Sequence, residues 1–288
     1  MKRVLMMLSL MFVATFMACK PEPTPEPGDG DDLVIENKKI SKIYFDNGLG
    51  SGKRLDQVWI WDNEQLKKIE YYSSNNTISY EEYYTYNEKG QVSRIDNYAD
   101  GEQTEYSYNG DKITKAKLYY DGELEEDWRF TYENNKITKI ELVFEAKSSV
   151  KKKMNPFANL LPFETADLLY HVKNNAKNRN GFYYELTWDN DNISKIEIVE
   201  DGERADVDCK YDDKINPFNN FMSIYAEYYV EEFYGSKNNI IQMVCSFYED
   251  GDNYNEVTNY SYSYEGDYPI VKRMNDSVLN YVWYYEYI

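Results

Sequence analysis

The sequence predicts an all-β protein: a many-stranded antiparallel meander of hairpin repeats, curled or closed into a soluble, barrel-like sheet. The first observation is an internal repeat, clearest in FTYENNKITKIELVF from Phe130 to Phe144. An aromatic pair comes first, then a polar turn, and then two aliphatic residues three positions apart. The second observation is a set of Asp-Gly pairs, such as Asp121-Gly122, which are strong hairpin signals. Repeats of roughly 20 to 50 residues are typical of arrays of one supersecondary unit.

The second aromatic residue of each copy is its anchor, and most anchors recur at intervals of 22 to 25 residues. The anchors are Trp61, Tyr86, Tyr108, Tyr132, Trp188, Tyr211, Tyr234 and Tyr264. Alternate strand residues share a face, so an anchor and the aromatic residue two positions before it point the same way. The aliphatic residues follow at +5 and +8, as Ile137 and Ile140 do after Tyr132. This odd spacing breaks the alternation, so we expect apolar contacts on both faces or a marked twist, unless a bulge intervenes.

A single β-repeat domain is predicted over residues 33–288, with an insertion at 146–180 that carries a short helix near 156–175. Ile40 and Ile43 repeat the aliphatic pair, so the first copy lacks its leading half. The final strand alternates aromatic residues from Tyr281 to Tyr287. The motif Asn-Pro-Phe occurs twice, ending at Phe157 and at Phe218. We interpret these as corners whose Phe closes an end of the sheet, the alternative being a lid or binding loop.

The first residues indicate export and anchoring. Residues 1–18 have two basic residues and then an apolar run, as a signal peptide does. Cys19 is the predicted lipidation site, and residues 19–32 form a tether rich in Pro, Glu and Asp that cannot build a core. We therefore expect a protein held to the outer membrane by its N-terminal lipid, facing the periplasm or the cell surface. A plain secreted protein is the alternative.

The net charge narrows the choice of partners. The formal charge is −19, and removal of residues 1–18 leaves 30 basic against 51 acidic residues, or −21. A charge of this size argues against nucleic acid and anionic lipid as partners. Charged residues such as Lys139, Glu141 and Lys195 recur along the predicted strands. They argue against a membrane-spanning barrel, whose strands need an apolar outer face.

The sequence offers little catalytic chemistry. His171 is the single histidine, and no Ser or Cys stands in a nucleophile-elbow motif, so no catalytic residue, metal or cofactor is expected. Carboxylates are abundant, and a pair facing each other across a cleft would suit a glycoside hydrolase. Cys209 and Cys245 belong to predicted strands two units apart, so two separate buried thiols are favoured over a disulfide.

The aromatic residues are the one feature that predicts binding. Exposed aromatic rings on a sheet stack on sugar rings, and the candidate ligand-binding residues are Trp59, Trp61, Trp128, Trp188 and Trp283. The competing interpretation is structural, because aromatic pairs across strands also stabilise a long meander.

These units, from Ile40 to Ile288, together with the lipoprotein-like leader and the Asn-Pro-Phe corners, resemble uncharacterised lipoproteins of Bacteroidetes that carry a domain of unknown function with a porin-like β fold. They resemble more distantly the tyrosine-aspartate repeats of Rhs-type shell proteins. The resemblance implies a barrel-like meander and brings no catalytic residues. We expect a non-enzymatic surface binding module for a glycan or host polymer. A structural or envelope-assembly protein that contacts another envelope protein is the alternative, and a glycoside hydrolase-like enzyme comes third.

Overall fold

The computed structural model is a closed, sixteen-stranded antiparallel β-barrel, which confirms the predicted fold class. It describes residues 38–50, 52–98, 101–145, 182–200, 203–219, 235–249, 252–275 and 280–288. The strands are β1 Ile40–Asp46, β2 Arg54–Asp62, β3 Gln65–Tyr72, β4 Ile78–Tyr86, β5 Val92–Asn97, β6 Glu102–Asn109, β7 Lys112–Tyr120, β8 Glu123–Glu133, β9 Lys136–Glu145, β10 Tyr183–Asp189, β11 Asn192–Glu200, β12 Glu203–Ile215, β13 Asn238–Glu249, β14 Asp252–Glu265, β15 Tyr268–Asn275 and β16 Val282–Tyr287. The signal peptide, the tether and the insertion with its helix lie outside the described residues.

Each strand pairs with the next along the chain, and β16 pairs with β1 to close the ring. Tight turns rich in Asn, Asp and Gly join most neighbours. The turn at Asp121-Gly122 joins β7 to β8 with φ values of 48° and 82°. Two successive residues in the left-handed region give a turn whose twist matches the flanking strands. The predicted Asp-Gly hairpin is therefore confirmed at this position.

A β-bulge follows the turn in every repeat. In the β8–β9 hairpin, Tyr132 lies opposite Ile137, and the register shifts at the next residue pair. The extra residue returns Ile140 to the inward face, where it is 6% exposed, while Ile137 packs against the same core. The bulge is thus the exception that the prediction allowed, and it corrects the odd spacing of the aliphatic pair.

The bulges also create a ring of hydrogen bonds that we call the aromatic ladder. An aromatic side chain of each unit donates a hydrogen bond to a backbone carbonyl of the preceding unit. The acceptor is the residue at the first of the two aliphatic positions that follow the turn. With donor-to-oxygen distances of 2.6 to 2.8 Å, the pairs are Trp61 to Ile40, Tyr86 to Leu66, Tyr108 to Val92, Trp188 to Ile137, Tyr211 to Ile193, Tyr262 to Ile240 and Tyr287 to Pro269. Tyr132 bonds in the same way to the backbone of Ile113. A bulge interrupts the strand ladder locally, and the aromatic donor satisfies the carbonyl at that interruption.

Closure of the barrel supplies the half that the first repeat lacks. Tyr287 of β16 lies opposite Ile40 of β1, and the register between the two strands shifts after this pair. The anchors of other units lie opposite their first aliphatic residue in the same way. Tyr287 donates to Pro269 on one side, and Ile40 accepts from Trp61 on the other. Thus β16 and β1 form the eighth unit, assembled from the two ends of the domain.

The unit around Tyr211 differs from the sequence prediction. Tyr211 lies opposite Ile240, so β12 and β13 are direct neighbours. The predicted anchor Tyr234 is outside the described residues. Cys209 and Cys245 therefore lie on adjacent strands, rather than two units apart, yet both are buried and neither forms a disulfide. The prediction of two separate buried thiols is confirmed, although its geometric reason was wrong.

Candidate functional site

The predicted binding tryptophans do not form an exposed row. Trp59, Trp128 and Trp283 point into the barrel and are at most 4% exposed. Trp61 and Trp188 pack against the same core, and their indole nitrogens belong to the aromatic ladder. Their main contribution is therefore packing, in line with the structural interpretation of the aromatic repeat.

Aromatic side chains fill much of the described interior. Phe218, from the second Asn-Pro-Phe corner, is fully buried. Its ring centre lies 5.8 Å from that of Trp59 and 6.0 Å from that of Tyr285, on strands well separated from β12 around the ring. Elsewhere Trp128 stacks against Tyr184 at 6.1 Å. Phe218 thus packs against strands four and six positions away from β12 around the ring, as expected of a corner that closes an end of the sheet.

A polar cluster interrupts this packing on the inner faces of β2 to β4. Glu82 is 4% exposed, and its Oε2 accepts hydrogen bonds from the hydroxyls of Tyr71 (3.0 Å) and Tyr84 (2.9 Å). Gln57, next to Tyr71 in the register, accepts at Oε1 from the indole of Trp59 at 2.8 Å. Two phenolic donors stabilise a buried carboxylate. The cluster is enclosed by the core, so we assign it a structural role.

Lys272 is a further polar residue within the barrel, and sequence reasoning missed it. It is 1% exposed, with its Nζ 4.8 Å from the ring centre of Tyr260 and 5.1 Å from that of Trp283. The rings stabilise the cation through their π faces. Lys272 stands at +8 from the anchor Tyr264, where the units of Trp61, Tyr108, Tyr132 and Trp188 carry Ile or Ala. This departure from the repeat is the signal that could have revealed it.

The outer face of the barrel carries networks of opposite charge. Lys195 lies 3.1 Å from Glu197 and 3.0 Å from Asp206, and Arg204 lies 2.7 Å from Asp206. Burial favours the neutral acid at Asp206, but the two cations outweigh it and hold the pKa of this carboxyl below its usual value. Lys139 and Glu141 pair at 3.2 Å on β9. The charged positions predicted from the sequence therefore lie on the outside, where water solvates them.

A second outer network combines charge with tyrosine rings, and we call it the tyrosine face. It consists of the outward side chains of β3 to β5, namely Lys68, Glu70, Tyr72, Glu81, Tyr83, Arg94, Asp96 and Tyr98. Lys68 lies 2.6 Å from Glu70 and 2.7 Å from Glu81. The Tyr83 hydroxyl donates to Glu81 at 2.9 Å, and the Tyr72 hydroxyl donates to Glu70 at 2.8 Å. Hydrogen bonds from Lys68 and then Tyr83 lower the pKa of Glu81.

Tyr98 completes the tyrosine face and is its most accessible ring. Its side chain is 69% exposed, and its ring centre lies 5.3 Å from that of Tyr83 at an interplanar angle of 51°. Arg94 interacts with the Tyr98 hydroxyl and also donates from Nε to Asp96 at 2.8 Å. An exposed ring beside ordered donors and acceptors is an arrangement that can bind a ligand. Sequence reasoning missed it, because Tyr98 lies outside the repeated aromatic positions.

Other chemistry has little support in the part of the chain that the structure describes. Within these ranges, no group of three or more His, Cys, Asp and Glu side chains is placed to hold a metal ion. No described helix is long and apolar enough to cross a membrane. The predictions on His171 and on lipidation of Cys19 concern residues outside the described ranges.

Comparison with solved structures relates this barrel to known folds. A porin-like protein from Bacteroides vulgatus matches with a TM-score of 0.52 at 10% identity, over 87% of this chain and 99% of the other. A porin-like protein from Bacteroides uniformis matches with a TM-score of 0.50 at 12% identity, over 86% and 98%. The predicted porin-like fold is therefore confirmed. At this identity the matches show the fold alone.

The remaining comparisons add no family. A match to the Tc holotoxin pore of Photorhabdus luminescens has a TM-score of 0.31 at 14% identity, over 72% of this chain and 10% of the other, and carries no conclusion. The likeness to Rhs-type repeats therefore stays a prediction. No protein-family model matches the sequence, and the comparison with curated proteins gives no match either.

Proposed function

We propose that this protein is a non-enzymatic barrel of the bacterial cell envelope that acts by binding, through its outer surface, rather than by conducting solutes. The observation that carries this proposal is the contrast between the two faces of the sheet. Trp128 and Phe218 fill the inside at 1% and 0% exposure, whereas Lys195, Glu197 and Arg204 pair on the outside. A conducting membrane barrel needs the reverse arrangement, with a polar lumen and an apolar outer band.

Bilayer recordings and polymer binding test this proposal together. The purified protein should give no channel conductance in planar lipid bilayers, since aromatic side chains occupy its lumen. It should also be retained by at least one immobilised polysaccharide or host polymer in affinity gel electrophoresis. Stable single-channel currents would refute the absence of conduction, and flat binding profiles across a broad polymer panel would refute the binding role.

Lipid anchoring at Cys19 is part of the same proposal and has its own test. The wild-type protein should incorporate radiolabelled palmitate and fractionate with the outer membrane, and Cys19→Ala should do neither.

The packed interior also suits a second function, that of a structural or envelope-assembly protein. A filled barrel offers no internal site for a large ligand, so its outer surface and loops would contact another envelope protein. Crosslinking in intact cells should then recover one partner at constant stoichiometry, whereas a polymer-binding module should give no such partner. A glycoside hydrolase is disfavoured because the buried carboxylates Glu82 and Glu126 are held by aromatic donors, Glu82 by two tyrosine hydroxyls and Glu126 by the indole of Trp128. Release of reducing sugar from a bound polysaccharide would reinstate that possibility.

A further inference from the structure

Among the described tyrosines, Tyr98 combines the greatest exposure with a fixed orientation. At 69% exposure it exceeds Tyr248, the next most exposed, at 42%. Its ring leans on Tyr83 and its hydroxyl meets Arg94, so the ring stands in a defined position at the end of β5. An aromatic side chain that is ordered before binding loses little conformational entropy when a ligand stacks on it.

The groups around Tyr98 alternate between hydrogen-bond acceptors and donors. Glu81 supplies carboxylate oxygens, and Lys68 and Arg94 supply cationic N–H groups, with Arg94 held in place by the buried Asp96. Tyr83 and Asp96 are direct cross-strand neighbours, so these groups lie side by side on the outer face of adjacent strands. Sugar hydroxyls both donate and accept, and they match such a mixed surface better than an apolar or a purely cationic ligand does.

The charge of the face selects among glycans. Lys68 is paired with two carboxylates, and Arg94 is paired with Asp96, so the face presents no unpaired cation to attract a polyanion. The chain as a whole carries a net charge of −19, which repels acidic polymers at low salt. A neutral glycan avoids this repulsion.

We propose that the tyrosine face binds a neutral polysaccharide chain, with Tyr98 as the stacking platform and Glu81 and Arg94 as hydrogen-bonding groups. The inference rests on the proposed binding function and assigns it a surface and a ligand class. Two outward tyrosines elsewhere on the barrel, Tyr44 and Tyr183, suit this role less well, because lysine side chains already cover their rings. Lys53 lies 4.0 Å from the ring centre of Tyr44, and Lys139 lies 4.0 Å from that of Tyr183.

The test uses affinity gel electrophoresis of the full-length protein against neutral and acidic polysaccharides, namely mannan, xyloglucan, dextran, polygalacturonate and heparin. Four proteins are compared: wild type, Tyr98→Ala, Tyr98→Phe and the control Tyr248→Ala. Tyr248 lies on β13, eight strands from β5 in either direction around the barrel, so it probes the opposite side. Thermal unfolding of each variant verifies that the barrel is intact.

Retention by at least one neutral polysaccharide should weaken about tenfold or more in Tyr98→Ala, a loss typical of removing an aromatic anchor. Tyr98→Phe should retain most of the affinity because it keeps the ring, and Tyr248→Ala should match the wild type. If Tyr98→Ala binds like the wild type, the tyrosine face is not the site, although the protein remains a binding module. Retention by the acidic polymers alone would refute the ligand class. If no polymer retains the wild type, the inference and the proposed binding function both fail.

Discussion

The aromatic ladder makes a quantitative prediction about how the barrel closes. Tyr108 is an internal member of the ladder, and Tyr287 is the member at the seam between β16 and β1. Both hydroxyls donate to a backbone carbonyl at 2.6 Å. If the seam is a true repeat unit, removing either hydroxyl should cost the same free energy of unfolding.

The expected cost follows from the hydrogen bond and its surroundings. A neutral hydrogen bond contributes about 0.5 to 1.5 kcal/mol net, and a carbonyl left dry costs about 1 to 3 kcal/mol. Both tyrosines are only partly buried, so water can reach the freed carbonyl in part. We therefore expect Tyr108→Phe and Tyr287→Phe each to lose about 1 kcal/mol, which corresponds to a fall in melting temperature of about 2 to 4 °C for a domain of this size.

Urea unfolding followed by tryptophan fluorescence measures this cost. The matched control is Tyr284→Phe, whose ring lies on the outer face with the Lys53 Nζ 4.8 Å from its centre, outside the ladder. It should change stability by less than about 0.5 kcal/mol. A loss at Tyr108 with none at Tyr287 would mean that the seam is open. Losses no larger than that of the control at both positions would mean that the ladder contributes nothing.

Three further predictions concern single positions. Burial raises the pKa of Asp56 to about 6, although the charge of Arg54 opposes this. The folded protein therefore holds this proton more tightly than the unfolded chain does. The resulting stabilisation is fully present below about pH 3.8 and is lost as the pH rises through about 6. The free energy of unfolding of Asp56→Asn, relative to that of the wild type, should therefore rise by about 2 kcal/mol between about pH 4.5 and about pH 7.5. A difference that stays constant between these pH values would refute the raised pKa. Gly48 and Gly50 both have positive φ, but of the two only Gly48 would bring a Cβ to 2.5 Å from a backbone oxygen, that of Asn280. Chemical unfolding should therefore show that Gly48→Ala is less stable than Gly50→Ala by at least about 1 kcal/mol. Cys209 and Cys245 are both buried and should resist a thiol reagent at neutral pH in the native protein, and burial also raises the pKa of the Cys209 thiol to about 12. Both should react after unfolding, and no reaction after unfolding would indicate a disulfide.

The hairpin architecture could be predicted from the sequence because its determinants are local. The polar turns, the aromatic pairs and the +5 and +8 spacing all lie within about two dozen consecutive residues. The inward position of Ile140 could not be assigned with certainty, because it depends on a bulge that the spacing permits but does not require. Closure between Ile40 and Tyr287 is a contact between the two ends of the domain, and the only sequence signal for it was the half-repeat at Ile40.

The candidate site was harder to predict than the fold. Trp59 and Trp61 share a face, as alternation requires, but Val58 and Ile60 on the other face are apolar as well. Hydrophobicity alone therefore could not decide which face of β2 points inward. Tyr98 follows a strand end and belongs to no repeated position, so its exposure depends on how the neighbouring hairpins are packed.

Hydrogen–deuterium exchange of the backbone amides in β1 and β16 tests the closed barrel most directly. In an open sheet these would be edge strands, with outward amides that exchange rapidly. Closure pairs Ile43 with Tyr285 and Phe45 with Trp283. We predict that both strands are protected to the same degree as the interior hairpin of β6 and β7. Rapid exchange along β1 and β16, with β6 and β7 still protected, would contradict a closed sixteen-stranded barrel.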